Sequence, residues 1–316
     1  MATNTSPPVN KPGNHTMSPT EWGLLLFLSL IWGGSFFFNA IAVTALPPFT
    51  IVACRVAIGA LCLIAVLHAT GGRMATGRKT WGAFFLMGLL NNAIPFSLIV
   101  WGQRDIASGL AAILNATTPL FTVIIAHYTT GDDKMTALRI GGILAGLVGV
   151  AILIGGDALS GVSGHLAAEI AVLIASVSYA ISSIYGRRFS RAGLAPLVTA
   201  AGQISASAMM MVPLALIIDQ PWHLATPGLP VFGALLGIGA LSTCLAYIVF
   251  YRILATAGPV NLMLVTLLIP VSAILLGAIL LHERLEANDF LGMAAIALGL
   301  LAIDGRVFRV FGRAPG

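Results

Sequence analysis

Ten apolar runs follow one another along this chain with little sequence between them. They lie near 22–43, 48–68, 80–101, 106–128, 137–155, 164–185, 195–218, 230–251, 257–281 and 287–304. A bilayer core about 30 Å thick takes roughly 20 apolar residues per helix. Inside it every backbone N–H and C=O must be satisfied within its own segment, which leaves helices as the available form for such runs. The expected fold is therefore an all-α integral membrane protein with ten transmembrane helices. Composition agrees: 9% of the residues are charged, where a soluble globule carries about 25%.

The connectors hold the charges, and their sides alternate. With the N-terminus inside, the inner connectors receive Lys11, then Arg73, Arg78 and Lys79, then Lys134 and Arg139, then Arg187, Arg188 and Arg191, then Arg252, and finally Arg306, Arg309 and Arg313. The outer side receives only Arg104 and Arg284, and Arg55 falls within a span. Basic loops stay cytoplasmic, so both termini are expected inside. Residues 1–21 read as a disordered cytoplasmic tail and 305–316 as a basic one. The net charge of +5 then sets orientation in a lipid bilayer and does not point to nucleic acid. Cys54, Cys62 and Cys244 sit inside apolar runs, with no zinc or disulfide spacing. No metal site and no cofactor is expected.

The chain repeats itself. At an offset of 151, Pro119–Ile152 falls on Pro270–Ile303 without a gap, proline on proline and polar connector on polar connector. At 147, Trp32–Phe37 covers Tyr179–Ile184; at 148, Leu46–Thr50 covers Leu194–Val198. The units are 22–155 and 156–304, five spans each. An odd number makes the second unit enter from the opposite face, so the two five-helix repeats are inverted, as in many carriers with alternating access.

Polar groups within the spans mark candidate sites. Asn91 and Asn92 stand beside Pro95, which removes a backbone donor and bends its helix. An unpaired amide in lipid costs roughly 1–3 kcal/mol by mutational measures, so these side chains are expected to pair or to line a wet cavity. Asn115 stands near Pro119, and Gln203, Tyr179 and Tyr247 lie on polar helix faces. Trp32 and Trp101 are candidate walls, although Trp101 also suits an interfacial anchor. Small polar groups equally serve as glue between helices. Arg55 and Glu169 lie at similar depth from the outer side, which makes them a plausible ion pair, and an ionisable group in a span is a functional candidate. Pro95, Pro119 and Pro270 are expected to soften helices where gates bend. Glycines 141, 142, 146 and 149 and Ala145 form a track for close helix contact.

"LIWGGSFF" in span one, "SGLAAILNATTPLFT" in span four and "LLHERLEANDFLGMAAIALGLLAI" in spans nine and ten resemble the EamA-type drug/metabolite transporters. The resemblance covers about 22–304. It implies a basket of helices around a central cavity, spans five and ten outside that basket, and export across the bacterial inner membrane. Bacterial amino-acid exporters, including aromatic amino-acid exporters of the YddG type, are similar in kind. Tyr179–Ala180 departs from the tryptophan–alanine pair of many members.

The expected function is export of small metabolites, amino acids first, with drugs or nucleoside- and purine-type metabolites as the alternative. A channel or structural membrane protein is the other class, but no charged ring or filter is evident. No catalytic residue is expected, since zinc-protease and paired-aspartate motifs are absent from the sequence. Proton coupling and oligomeric state are not legible.

Overall fold

The computed structural model describes residues 17–129, 137–159, 165–257, 262, 265–284 and 286–304. Those residues form helices and connectors, with no strand among them. In chain order the helices are α1 (Pro19–Ala42), α2 (Pro48–Ala69), α3 (Arg78–Gly102), α4 (Ser108–Thr129), α5 (Ala137–Leu159), α6 (Leu166–Arg191), α7 (Pro196–Ile218), α8 (Leu229–Leu254), α9 (Val265–Leu280) and α10 (Ala287–Asp304). Seven of them, α1 to α4 and α6 to α8, are long and apolar enough to cross a membrane. The other three contain shorter apolar stretches, Ile140–Ile152, Leu268–Leu280 and Ala287–Gly299.

About half of each long span is covered by the rest of the protein. The remainder is lipid-compatible, as Ile170, Ile174 and Ile181 on α6 and Leu26 and Leu30 on α1 illustrate by standing exposed. A soluble fold would hide such rows; a membrane solvates them. This is a multi-pass membrane protein.

Helix α1 begins at Pro19, earlier than the tail boundary at residue 21 expected from hydropathy. The reason is local. Ser18 accepts from the Glu21 N–H, and Glu21 returns its carboxylate to the Ser18 N–H at 2.7 Å, a capping box with proline at the first helical position. Residues 1–16, the connector with Asp132, Asp133 and Lys134, and the basic tail from 305 lie outside the described residues. Helix α5 continues to Leu159, past residue 155 where the expected apolar run ends.

The packing is symmetric under exchange of the halves. Helix α1 packs on α8 and α9; its counterpart α6 packs on α3 and α4. Helix α2 packs on α8 and α7 on α3, while α2 meets α7 and α5 meets α10. The main contacts thus run between the repeats. The last pair is held by glycines: a Cβ at Gly149 would lie 2.7 Å from the Gly292 carbonyl oxygen, and one at Gly299 2.8 Å from the Gly146 nitrogen. Lipid gives no hydrophobic drive between helices, so such close backbone approach is the source of association. Gly141, grouped with this track from the sequence, is exposed and meets nothing within 4 Å.

Two carboxylates tie the halves together at helix starts. His282 takes φ +57° and reverses the chain after α9. Glu283 thereby turns back onto α4, accepting from the Ser108 N–H at 3.0 Å and from the Ser108 hydroxyl at 2.8 and 2.6 Å. Asp219, after α7, accepts from the Thr50 N–H at 2.6 Å and its hydroxyl at 2.9 Å. Each satisfies an orphan N–H at the start of a helix and opposes the positive end of its dipole. Glu283→Ala is expected to cost about 1–2 kcal/mol, in the range of a lost N-cap. A thermal melt in detergent should show the shift, with Glu283→Gln closer to wild type. Equal melting temperatures for wild type and both variants would mean that the cap contributes nothing.

Candidate functional site

Helix α3 is not a regular α-helix. Over Leu89–Ala93 it widens into a π-turn, and the Ile94 N–H reaches back five residues to the Leu89 carbonyl. Pro95 explains it. In that register residue 95 would donate to the Leu90 carbonyl, and proline has no N–H. The Ser178 hydroxyl of α6 donates to the Leu90 carbonyl instead, at 2.6 Å. The second half repeats the device. Helix α8 widens over Gly237–Leu245, which begins 148 residues after Leu89. There the Thr243 hydroxyl donates to the Ile238 carbonyl at 2.9 Å, and Ile238 stands 148 residues after Leu90. Ser178→Ala strands a partly buried carbonyl, and a loss of about 1 kcal/mol is expected. Ser183→Ala, at an exposed position one turn on, should melt as wild type does. Equal melting of Ser178→Ala and Ser183→Ala would show that the Leu90 carbonyl needs no partner.

The π-turns turn polar groups toward one another. The Asn91 amide nitrogen donates to the Tyr247 hydroxyl at 3.0 Å, and its oxygen accepts from the Ser182 hydroxyl at 2.8 Å. One side chain thus joins α3, α8 and α6. Gln203 on α7 is buried beside the same Tyr247 hydroxyl, and its Oε1 has no hydrogen-bond partner. Arg55 on α2 is buried, 6% exposed. Its Nε donates to Thr243 Oγ1 at 3.2 Å, and its guanidinium lies 3.5 Å above the Phe96 ring. Tyr179 and Tyr247 face that charge, with Tyr179 set edge-on to Phe96 at 6.5 Å. Tyr247 stacks on Tyr251, Tyr251 meets Phe250, and Phe250 meets Trp32 on α1 at 5.6 Å. The result is a polar cluster walled by aromatic rings, drawn from α2, α3, α6, α7 and α8.

Other expected positions fall elsewhere. Asn92 is fully buried and donates to the Ser207 hydroxyl on α7 at 3.0 Å, so it fastens two helices. Asn115 ends the first part of α4. Pro119 leaves the Asn115 carbonyl without its helical donor, and the Thr118 hydroxyl supplies one at 2.8 Å. Pro95 and Pro119 thus interrupt their helices, whereas Pro270 sits inside a continuous α9. Trp101, on the last turn of α3, is 40% exposed and is not brought into the cluster.

The Arg55–Glu169 pair does not form. Glu169 is buried on the first turn of α6, with Oε2 unpartnered, and the titratable groups that act on it are His165 and Asp289. Similar depth in the bilayer did not mean a shared face. Phe96, Ser178 and Ser182 were missed by sequence reasoning. Phe96 has no polar atom to mark it as a cation's partner. The two serines looked like any small residues of a span, and only the offset of 148 relates the carbonyls that Ser178 and Thr243 serve. No group of three or more metal-binding side chains occurs among the described residues.

Known proteins share this architecture. The EamA-like transporter family matches twice, over residues 21–155 and 166–303. The uncharacterized transporter YoaV of Bacillus subtilis (strain 168) is 24% identical over 87% of this chain and 94% of its own length. The uncharacterized inner membrane transporter YedA of Escherichia coli (strain K12) is 28% identical over 89% and 90%. A solved crystal structure superposes with a TM-score of 0.65 at 18% identity, over 94% of this chain and all of that one, which speaks to the fold alone. Two matched units spanning nearly the whole chain, packed symmetrically around one cluster, place this protein in the EamA-like transporter family.

Proposed function

We propose that this protein exports small metabolites, amino acids first among them, across a bacterial inner membrane by alternating access. Its halves insert in opposite senses as ten crossings with both termini in the cytoplasm. The observation that carries the reading is the cluster itself: a buried arginine without a carboxylate partner among the described residues, amides and phenols, all on helices that meet at the junction of the halves. A structural helix contact has no use for such a charge. An ionisable group kept in a membrane interior belongs to a substrate or ion path, and inverted repeats place that path between them. The excess of Lys and Arg on one set of connectors supports the orientation. The name of the relative YedA supports the inner membrane.

Efflux from proteoliposomes tests this. Vesicles loaded with amino acids, nucleosides or cationic dyes are compared with and without a pH gradient. Protein-dependent efflux of one or more amino acids is expected. Efflux of nucleosides or dyes with none of amino acids would replace the substrate class and keep the carrier; efflux of nothing would remove both.

A further inference from the structure

Arg55 and Gln203 occupy the same place in the two repeats, 148 residues apart, and both act on the Tyr247 phenol, Arg55 through its charge and Gln203 through a side-chain hydrogen bond. Their chemistry differs. A guanidinium carries five N–H donors and no acceptor. Nε–H is used on Thr243 and one face is covered by Phe96. The terminal nitrogens have no acceptor among the described residues. Tyr247 adds a donor: Asn91 already donates into its oxygen, so its own O–H is left for another acceptor. Gln203 supplies the reverse, a buried Oε1 with no donor. An exact two-fold would make these positions alike; the chain makes one a cation and the other a neutral amide with its acceptor oxygen left over.

We propose that these two positions clamp a zwitterion: Arg55, helped by the Tyr247 hydroxyl, holds the α-carboxylate of an amino acid, and Gln203 Oε1 accepts from its ammonium. The inference rests on the transport reading above and names its recognition chemistry. A buried cation with no acid beside it is costly, and a ligand carboxylate is the partner the helices do not provide. A planar fork matched to a carboxylate is the strength of arginine over lysine. The Tyr251 ring stacks on Tyr247, and Phe250 and Trp32 continue the chain of rings away from the clamp, a wall that suits an apolar or aromatic side chain.

The test uses the amino acid that the efflux screen ranks first, labelled, in counterflow with the full-length protein. Its decarboxylated amine and its deaminated acid serve as competitors; for phenylalanine these are phenethylamine and 3-phenylpropionate. The amine is expected not to compete, and the acid to compete roughly tenfold more weakly than the amino acid, about the worth of one charge-assisted hydrogen bond. In Gln203→Leu the acid and the amino acid should become equal. Arg55→Gln should raise KM by roughly tenfold or more, with Arg55→Lys between the two. Competition by the amine as strong as by the amino acid overturns the proposal even if no Arg55 variant folds. So does a folded Arg55→Gln with the wild-type KM. A wild-type protein that moves nucleosides or dyes and no amino acid fails the earlier test first, a separate result that takes this inference with it.

Discussion

Gly88→Leu is expected to yield no monodisperse protein in detergent. A Cβ at Gly88 would stand 2.8 Å from both the Gln203 carbonyl oxygen and the Ser207 hydroxyl, and 3.1 Å from the Ser207 nitrogen. Two of these are backbone atoms of α7, which cannot turn aside as a side chain can. The Ser207 hydroxyl also shares its one proton between the Gln203 carbonyl at 2.8 Å and the Gly88 carbonyl at 3.1 Å and accepts from Asn92, so a wedge here breaks the polar seam as well. Even alanine overfills the contact, and overpacking costs typically 1–3 kcal/mol. Leucine forces α3 off α7 along with the π-turn that α3 carries. Size-exclusion chromatography of Gly88→Ala and Gly88→Leu checks this, with Gly82→Leu as the control, since nothing lies within 4 Å of Gly82. A monodisperse Gly88→Leu that melts like wild type would show that the close approach of α3 and α7 does not exist.

Asn91→Leu is expected to leave a folded protein whose kcat/KM for export falls by about ten- to a hundredfold. The side chains are of similar size, so packing is little altered. What disappears is the hold on two hydroxyls, Tyr247 on α8 and Ser182 on α6. Two lost hydrogen bonds at a partly buried site amount to roughly 1–3 kcal/mol, which gives that range of rates when the bonds serve the transported state. Asn92→Leu is the contrast. Its partner is Ser207 in the α3–α7 seam, so it should lower the melting temperature more than Asn91→Leu and leave the KM of the surviving protein alone. If Asn91→Leu transports with wild-type kinetics, Asn91 is glue as well and the cluster is not the path.

The helices could be read because lipid allows so few alternatives: length and hydropathy locate the runs, and backbone satisfaction makes them helical. Proline was a sound guide to irregularity at Pro95 and Pro119, where a missing N–H must be answered by a neighbouring hydroxyl. At Pro270 the helix runs on through the proline without a widened turn. The widened turn of α8 contains no proline and could not be found that way; its mark is a threonine hydroxyl bonded five residues back. Arg55 stood out as a charge in an apolar run, but its partners did not. Depth along a helix is legible, whereas the direction a residue faces depends on how the helices turn about their axes. Hence Glu169 was chosen at equal depth, and Phe96, without a polar atom, was passed over. Asn91 and Asn92 are neighbours in sequence and face different helices, one toward the cluster and one toward the α7 seam.

In the proposed mechanism two symmetric halves share one site that opens to one side at a time, and counterflow separates such a carrier from a pore. Proteoliposomes holding the purified protein and an excess of unlabelled amino acid are diluted into a trace of the same amino acid, labelled. A carrier must return its site loaded, so transient accumulation of label above the outside concentration is predicted, and its initial rate should fall about ten- to a hundredfold in Asn91→Leu at the same substrate level. Equilibration of label at a rate indifferent to the internal pool would contradict the account, for that is how an open pore behaves.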